Sequence, residues 1–161
     1  MRIKKGISKK NIEELIKYSN SDERIRKFTS DGKRFASKKS FGEWRKKKRV
    51  IYSLIDEKEN LMGISWFGKE GEGFTLAVRV YGEARGKGLS ESFLSETMVD
   101  FMKSEEYLGA ENKNWWLETS VDNLAAIKLY EKLGFEKFGE GKSVDKVIFR
   151  RHHDFESEKN L

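Results

Sequence analysis

The sequence contains no cysteine, which removes disulfides, thiolate metal sites and a cysteine nucleophile together. Histidine is almost missing too. The two that occur, His152 and His153, stand side by side in a polar C-terminal stretch, a poor supply for an imidazole metal site or a histidine-based triad. No metal is expected. Proline is absent, and no functional reading follows from that. No apolar run approaches the ~18 residues of a membrane span, and no short apolar stretch follows Met1. A cytoplasmic protein with no membrane partner is expected.

What is present is enough for one domain with a real core: 161 residues, 37% hydrophobic, with 11 Phe and 4 Trp. The net charge of +6 is unevenly placed. Residues 1–50 carry 18 Lys and Arg against 6 Asp and Glu, whereas residues 51–161 carry 15 against 21. Two readings stand: a lysine-rich solvated face, or a surface for an acidic partner, nucleic acid included. No internal repeat or linker interrupts the chain.

Residues 1–5 read as a short strand. Residues 8–19 read as a helix that Ser8 caps, with Ile12, Leu15 and Ile16 on one stripe. The segment 20–48 suggests one or two short helices with Phe28, Phe35, Phe41 and Trp44 among many cations. Those rings serve either as core or as a stacking surface for nucleic acid. Strands follow at 50–55, 61–67 and 74–80, joined by turns at 56–60 and 69–73 as an antiparallel meander. Leu89, Phe93, Leu94, Thr97, Met98, Phe101 and Met102 recur at helical spacing. A buried strand at 115–120 precedes a helix capped by Asp122 or Asn123 and stopped by Gly134. Strands at 135–138 and 144–150 complete a mixed sheet between helices. In it the third meander strand and the 115–120 strand run parallel through the long helix.

Between that strand and helix stand Arg85, Gly86, Lys87, Gly88, Leu89 and Ser90. Glycines let the backbone approach a ligand, the helix start adds about half a positive charge, and Arg85 and Lys87 bring whole ones. That is pyrophosphate chemistry, although glycine pairs also occur in such turns for geometry alone. The spacing fits neither the ATP-type phosphate loop nor the dinucleotide fingerprint.

The loop resembles the pyrophosphate loop of the GCN5-related N-acetyltransferase (GNAT) superfamily, Arg/Gln-x-x-Gly-x-Gly/Ala, read here as Arg85-x-x-Gly88-x-Ser90. Serine departs from the last position. The stretch Leu76, Ala77, Val78, Arg79, Val80 is similar to that family's fourth strand. The resemblance implies that the backbone at Val78, Arg79 and Val80 pairs with the pantetheine arm of acetyl-CoA and holds the thioester carbonyl. A second block, running from Trp116 through Glu118, Asn123 and Tyr130 to Gly134 and Phe135, is similar to the family's later motif. There Tyr130 would protonate the leaving thiolate and Asn123 would bond the cofactor; their plain alternatives are a packed core tyrosine and a helix cap. The Glu118-to-Tyr130 spacing resembles the branch that acetylates a ribosomal protein's N-terminus, which implies Glu118 as base. Otherwise Glu118 is a strand-end residue bonded to a neighbour.

What these residues imply is an α/β (α+β) fold of six or seven strands with about four helices. The resemblance implies that residues 1–49 form the acceptor side and 50–150 the acetyl-CoA-binding core, with 151–161 expected as a frayed tail. The expected activity is acetyl transfer from acetyl-CoA to a primary amine by direct attack, the chain being a monomer or homodimer. The acceptor would be a protein or peptide amine, with a small-molecule amine as alternative. A basic RNA- or ribosome-binding module stands as the non-enzymatic reading.

Overall fold

The computed structural model describes residues 1–152. The expected frayed tail therefore lies outside the described residues, except for Arg151 and His152. The elements run β1 (Arg2–Lys5), α1 (Lys9–Ser21), α2 (Glu23–Phe28), α3 (Asp31–Arg34), α4 (Lys38–Arg45), β2 (Val50–Ile55), β3 (Leu61–Glu70) and β4 (Gly73–Val80). After a 3-10 turn at Gly82–Ala84 come α5 (Leu89–Met102), α6 (Glu105–Leu108), β5 (Trp115–Ser120), α7 (Leu124–Lys132), β6 (Glu136–Glu140) and β7 (Lys146–Arg151). The seven strands form one mixed sheet in the order β1-β2-β3-β4-β5-β7-β6. β4 and β5 are parallel, with Phe74 opposite Trp115, as the strand–helix–strand pattern requires.

Two compact units divide the chain: Met1–Trp66 with Val78–Ser90, and Phe67–Ala77 with the described residues from Glu91 onward. β3 and β4 contribute to both.

In the first unit, caps set the helix boundaries. Ser8 accepts the Asn11 amide at 3.1 Å and starts α1; each such cap stabilises by about 1 kcal/mol. Asp22 ends α1 and opens α2, its Oδ1 accepting the amides of Arg24 at 3.0 Å and Ile25 at 3.1 Å. Ser37 opens α4 by accepting the Ser40 amide at 3.1 Å. Three short helices thus fill the 20–48 segment, where one or two were expected. Their aromatics are core: Phe35, Phe41 and Trp44 are buried together, Phe35 and Trp44 also against Trp66, with Phe35 and Trp44 edge-to-face at 4.9 Å and Trp44 and Trp66 at 5.2 Å. No stacking platform for bases survives at those three rings.

The second unit is built on Trp115 and the stripe of α5. Phe93, Leu94, Thr97, Met98, Phe101 and Met102 are all buried, as their spacing predicts. Phe67, Phe74, Phe101, Tyr107 and Trp115 form a continuous aromatic cluster, with Phe67 and Phe101 stacked at 5.3 Å and Tyr107 and Trp115 stacked at 5.6 Å. Tyr107 arrives on α6, a short helix with no counterpart among the expected elements. Its signal was a Ser104 cap followed by two acids, and Ser104 Oγ accepts the Tyr107 amide at 3.3 Å. β6 runs two residues beyond its expected end, because a bulge between Lys137 and Gly139 keeps it paired with β7.

Candidate functional site

The loop between β4 and α5 belongs to the first unit. Gly86 (φ +79°) and Gly88 (φ +69°) both take the left-handed conformation that a side chain resists. A Cβ at either position would meet nothing within 4 Å, so it is backbone conformation rather than crowding that calls for glycine. Gly88 also stands where a cap would stand. The side chains of Ser8, Asp22, Ser37, Ser104 and Asn123 accept first-turn amides of α1, α2, α4, α6 and α7. Glycine has no side chain to do this for α5. Lys87 is exposed beside it, and Leu89 and Ser90 are half-buried in the first turn.

The two loop-side arginines are turned to aspartates. Arg85 Nη2 donates to Asp22 Oδ2 at 2.8 Å and to the Val80 carbonyl at 3.1 Å. Arg79 Nε donates to Asp31 Oδ2 at 2.7 Å and its Nη1 to the Val78 carbonyl at 3.0 Å. Asp31 is 0% exposed and also accepts Arg34 Nη1 at 2.7 Å. Arg79 and Arg34 lie over the Trp66 ring, at 5.0 and 5.6 Å from its centre. Burial pushes the Asp31 carboxyl up, but the two guanidiniums outweigh it and hold it below its ordinary value of 3.8. Asp22 and Asp31 went unremarked in the sequence: their partners lie 63 and 48 residues away, and no local pattern links them.

Next to this strand end, Tyr81 stacks on Tyr18 at 4.4 Å with nearly parallel rings. Its hydroxyl is buried and has no hydrogen-bond partner among the described residues. Burial raises it well above a phenol's usual value of 10, and Asp31 adds to that.

The second unit carries Glu118, Asn123 and Tyr130, each held by a different neighbour. Glu118 Oε2 accepts the Lys142 amide at 2.9 Å and so anchors the β6–β7 hairpin. Gly141 lies so close that a Cβ there would come within 2.6 Å of the same oxygen. Oε1 has no partner among the described residues. Asn123 caps α7, Oδ1 accepting the Ala126 amide at 3.3 Å, and its Nδ2 has no partner among the described residues. Tyr130 is 6% exposed and packs against Phe135 at 5.9 Å. Gly134, at φ +84°, follows the helix.

This donor set suits a diphosphate: two left-handed glycines lead into a helix start, with one exposed lysine alongside. No group of three or more His, Cys, Asp or Glu among the described residues could hold a metal. No helix among them is long and apolar enough to cross a membrane.

No curated protein matches the chain. Solved structures match nearly all of it at low identity. A domain from Methanocaldococcus jannaschii is 20% identical with a TM-score of 0.73, over 94% of this chain and 97% of that one. The ribosomal-protein-alanine N-acetyltransferase of Brucella melitensis is 15% identical with a TM-score of 0.70, over 95% and 100%. The spermidine N-acetyltransferase of Vibrio cholerae, solved in complex with CoA and spermine, is 16% identical with a TM-score of 0.67, over 92% of each. These likenesses establish the fold. Residues 12–135 match the acetyltransferase (GNAT) family, and since this is well over half of the sequence, the chain belongs to the GNAT family of acetyltransferases.

Proposed function

We propose that the chain moves an acetyl group from acetyl-CoA to a primary amine of a protein or peptide by direct attack. The observation that carries this is the Gly86–Gly88 loop, with both glycines at positive φ, leading directly into the start of α5.

Acetyl-CoA supplies an acyl carbon already activated as a thioester; the protein's part is to hold and polarise it. The amides of Lys87, Gly88, Leu89 and Ser90 with the Lys87 ammonium receive the diphosphate. Just past the end of β4, Tyr81 donates its amide to the Met62 carbonyl on β3 at 2.9 Å. Strand alternation therefore turns the Val78 and Val80 amides to the opposite edge, where they pair with the pantetheine arm and hold the thioester oxygen as charge develops on it. Asn123 Nδ2 is a further donor to the cofactor.

Two proton transfers remain. Tyr130 gives its phenolic proton to the departing thiolate: a phenol of pKa ~10 stays protonated at neutral pH yet matches a thiol of pKa ~8.5. Glu118 takes the proton of the attacking amine on Oε1, while Oε2 stays with the hairpin. An α-amino group (pKa ~8) asks less of that carboxylate than a lysine (~10.4). No covalent enzyme intermediate is required, since cysteine is absent.

The experiment is thiol release from acetyl-CoA with a panel of peptide and small-molecule amines. Release that depends on a peptide amine supports the reading. Release driven only by polyamines would transfer the acceptor to the small-molecule class, and no release with any amine would end the assignment.

A further inference from the structure

The first unit sorts its charges by depth. Of the twelve cations between residues 24 and 49, ten are exposed. Of the acids from Asp22 to Glu43, all but the exposed Glu23 are turned inward or spent. Asp31 is fully buried between Arg34 and Arg79, Asp22 caps α2 and bridges Arg85 at 2.8 Å, and Glu43 pairs with Lys46. Beside the exposed Glu23 and the paired Glu43, what α2, α3, α4 and the turn after them offer to solvent is cationic: Arg24, Lys33, Lys39, Arg45, Lys47 and Lys48, none bonded to an acid among the described residues.

Two further observations distinguish this from an ordinary solvated surface. Lys48 sits at φ +55°, a left-handed position where glycine costs nothing and a lysine costs roughly 1 kcal/mol; a charge is kept there against a local penalty. And the same acids that leave the surface cationic bind it to the proposed active strand. Through Arg79 and Arg85, α2 and α3 are tied to the Val78 and Val80 carbonyls. The cationic helices are thus anchored directly on the backbone assigned to the thioester.

We propose that this face docks the acceptor, and that the acceptor is an acidic protein segment whose amine enters from among aspartates and glutamates. The proposal rests on the acetyltransferase reading above and narrows its substrate class. A polyamine is disfavoured by like charge. Nucleic acid is disfavoured because Phe35, Phe41 and Trp44, the rings that would stack on bases, are buried, and because exocyclic base amines are poor nucleophiles.

The test is acetyl transfer to three short peptides sharing one N-terminal residue, followed by acidic, neutral or lysine-rich residues. Assays use wild type, the triple variant Lys39→Glu/Lys47→Glu/Lys48→Glu, and a Lys103→Glu control. At low salt the acidic peptide should exceed the basic one in kcat/KM by about tenfold or more, a gap that closes as salt screens it. The triple variant should lose about tenfold on the acidic peptide only, with the acetyl-CoA KM unchanged and the control like wild type. Equal or reversed peptide preference, or an unaffected triple variant, overturns the proposal. So does duplex RNA whose binding is lost in the triple variant while acidic-peptide acetylation is not. If acetyl-CoA binds and only small amines are acetylated, the docking proposal fails while the enzyme reading stands. If acetyl-CoA does not bind, both fail.

Discussion

Replacing Tyr130 by phenylalanine removes one oxygen from a ring whose packing on Phe135 it leaves alone. Turnover should fall on the order of a hundredfold, the usual scale for a lost general acid, with acetyl-CoA affinity kept. Steady-state kinetics beside calorimetric binding would check this; full turnover would return Tyr130 to the core. Glu118→Gln poses a sharper question, because glutamine keeps an oxygen for the Lys142 amide and loses only the basicity. A base at this position gives a loss of roughly a hundredfold at neutral pH with an unchanged Tm, whereas a hairpin anchor gives near-normal turnover. At this scale the sequence was readable wherever chemistry is local. Ser8 and Asn123 cap the helices expected of them and Gly134 follows its helix at positive φ, because cap and stop signals act within a few residues. The aspartate partners of Arg79 and Arg85 were not readable, since only the folded chain brings them close.

The short helices α2 and α3 owe their place to those ion pairs as much as to their caps. Asp31→Asn would leave Arg34 and Arg79 without their buried counter-charge, a loss of about 3–5 kcal/mol, and lower Tm on the order of 10 °C. The sign with pH follows from the depressed carboxyl. Its folded pKa lies below its unfolded value, so its contribution is complete above pH ~4 and is lost as pH falls below that. Urea unfolding of wild type from pH 6 down to pH 3 should show this acid limb, and Asp31→Asn should lack its share of it. Elements with a clear period were legible: α5 from its buried stripe and β5 from its bulky start. The region of α2 to α4 was not, because helices of six, four and eight residues show too few turns for a stripe and are held by caps and by Trp66 instead.

For the whole molecule, the order of strands and helices was legible from turn residues and hydrophobic period, and so was the parallel β4–β5 pairing. That pairing is forced once a helix connects two strands of one sheet. The concentration of cations in the first third was equally plain, but its sorting into buried acids and exposed lysines needed coordinates. The claim beneath the rest is that the loop ahead of α5 seats a diphosphate. Calorimetric titration of acetyl-CoA into wild type and Gly88→Ala tests it most directly. A Cβ at φ +69° costs roughly 1–2 kcal/mol, so saturable binding to wild type should weaken about tenfold in the variant. Equal affinity in the two proteins, or no binding to wild type at millimolar acetyl-CoA, would contradict it.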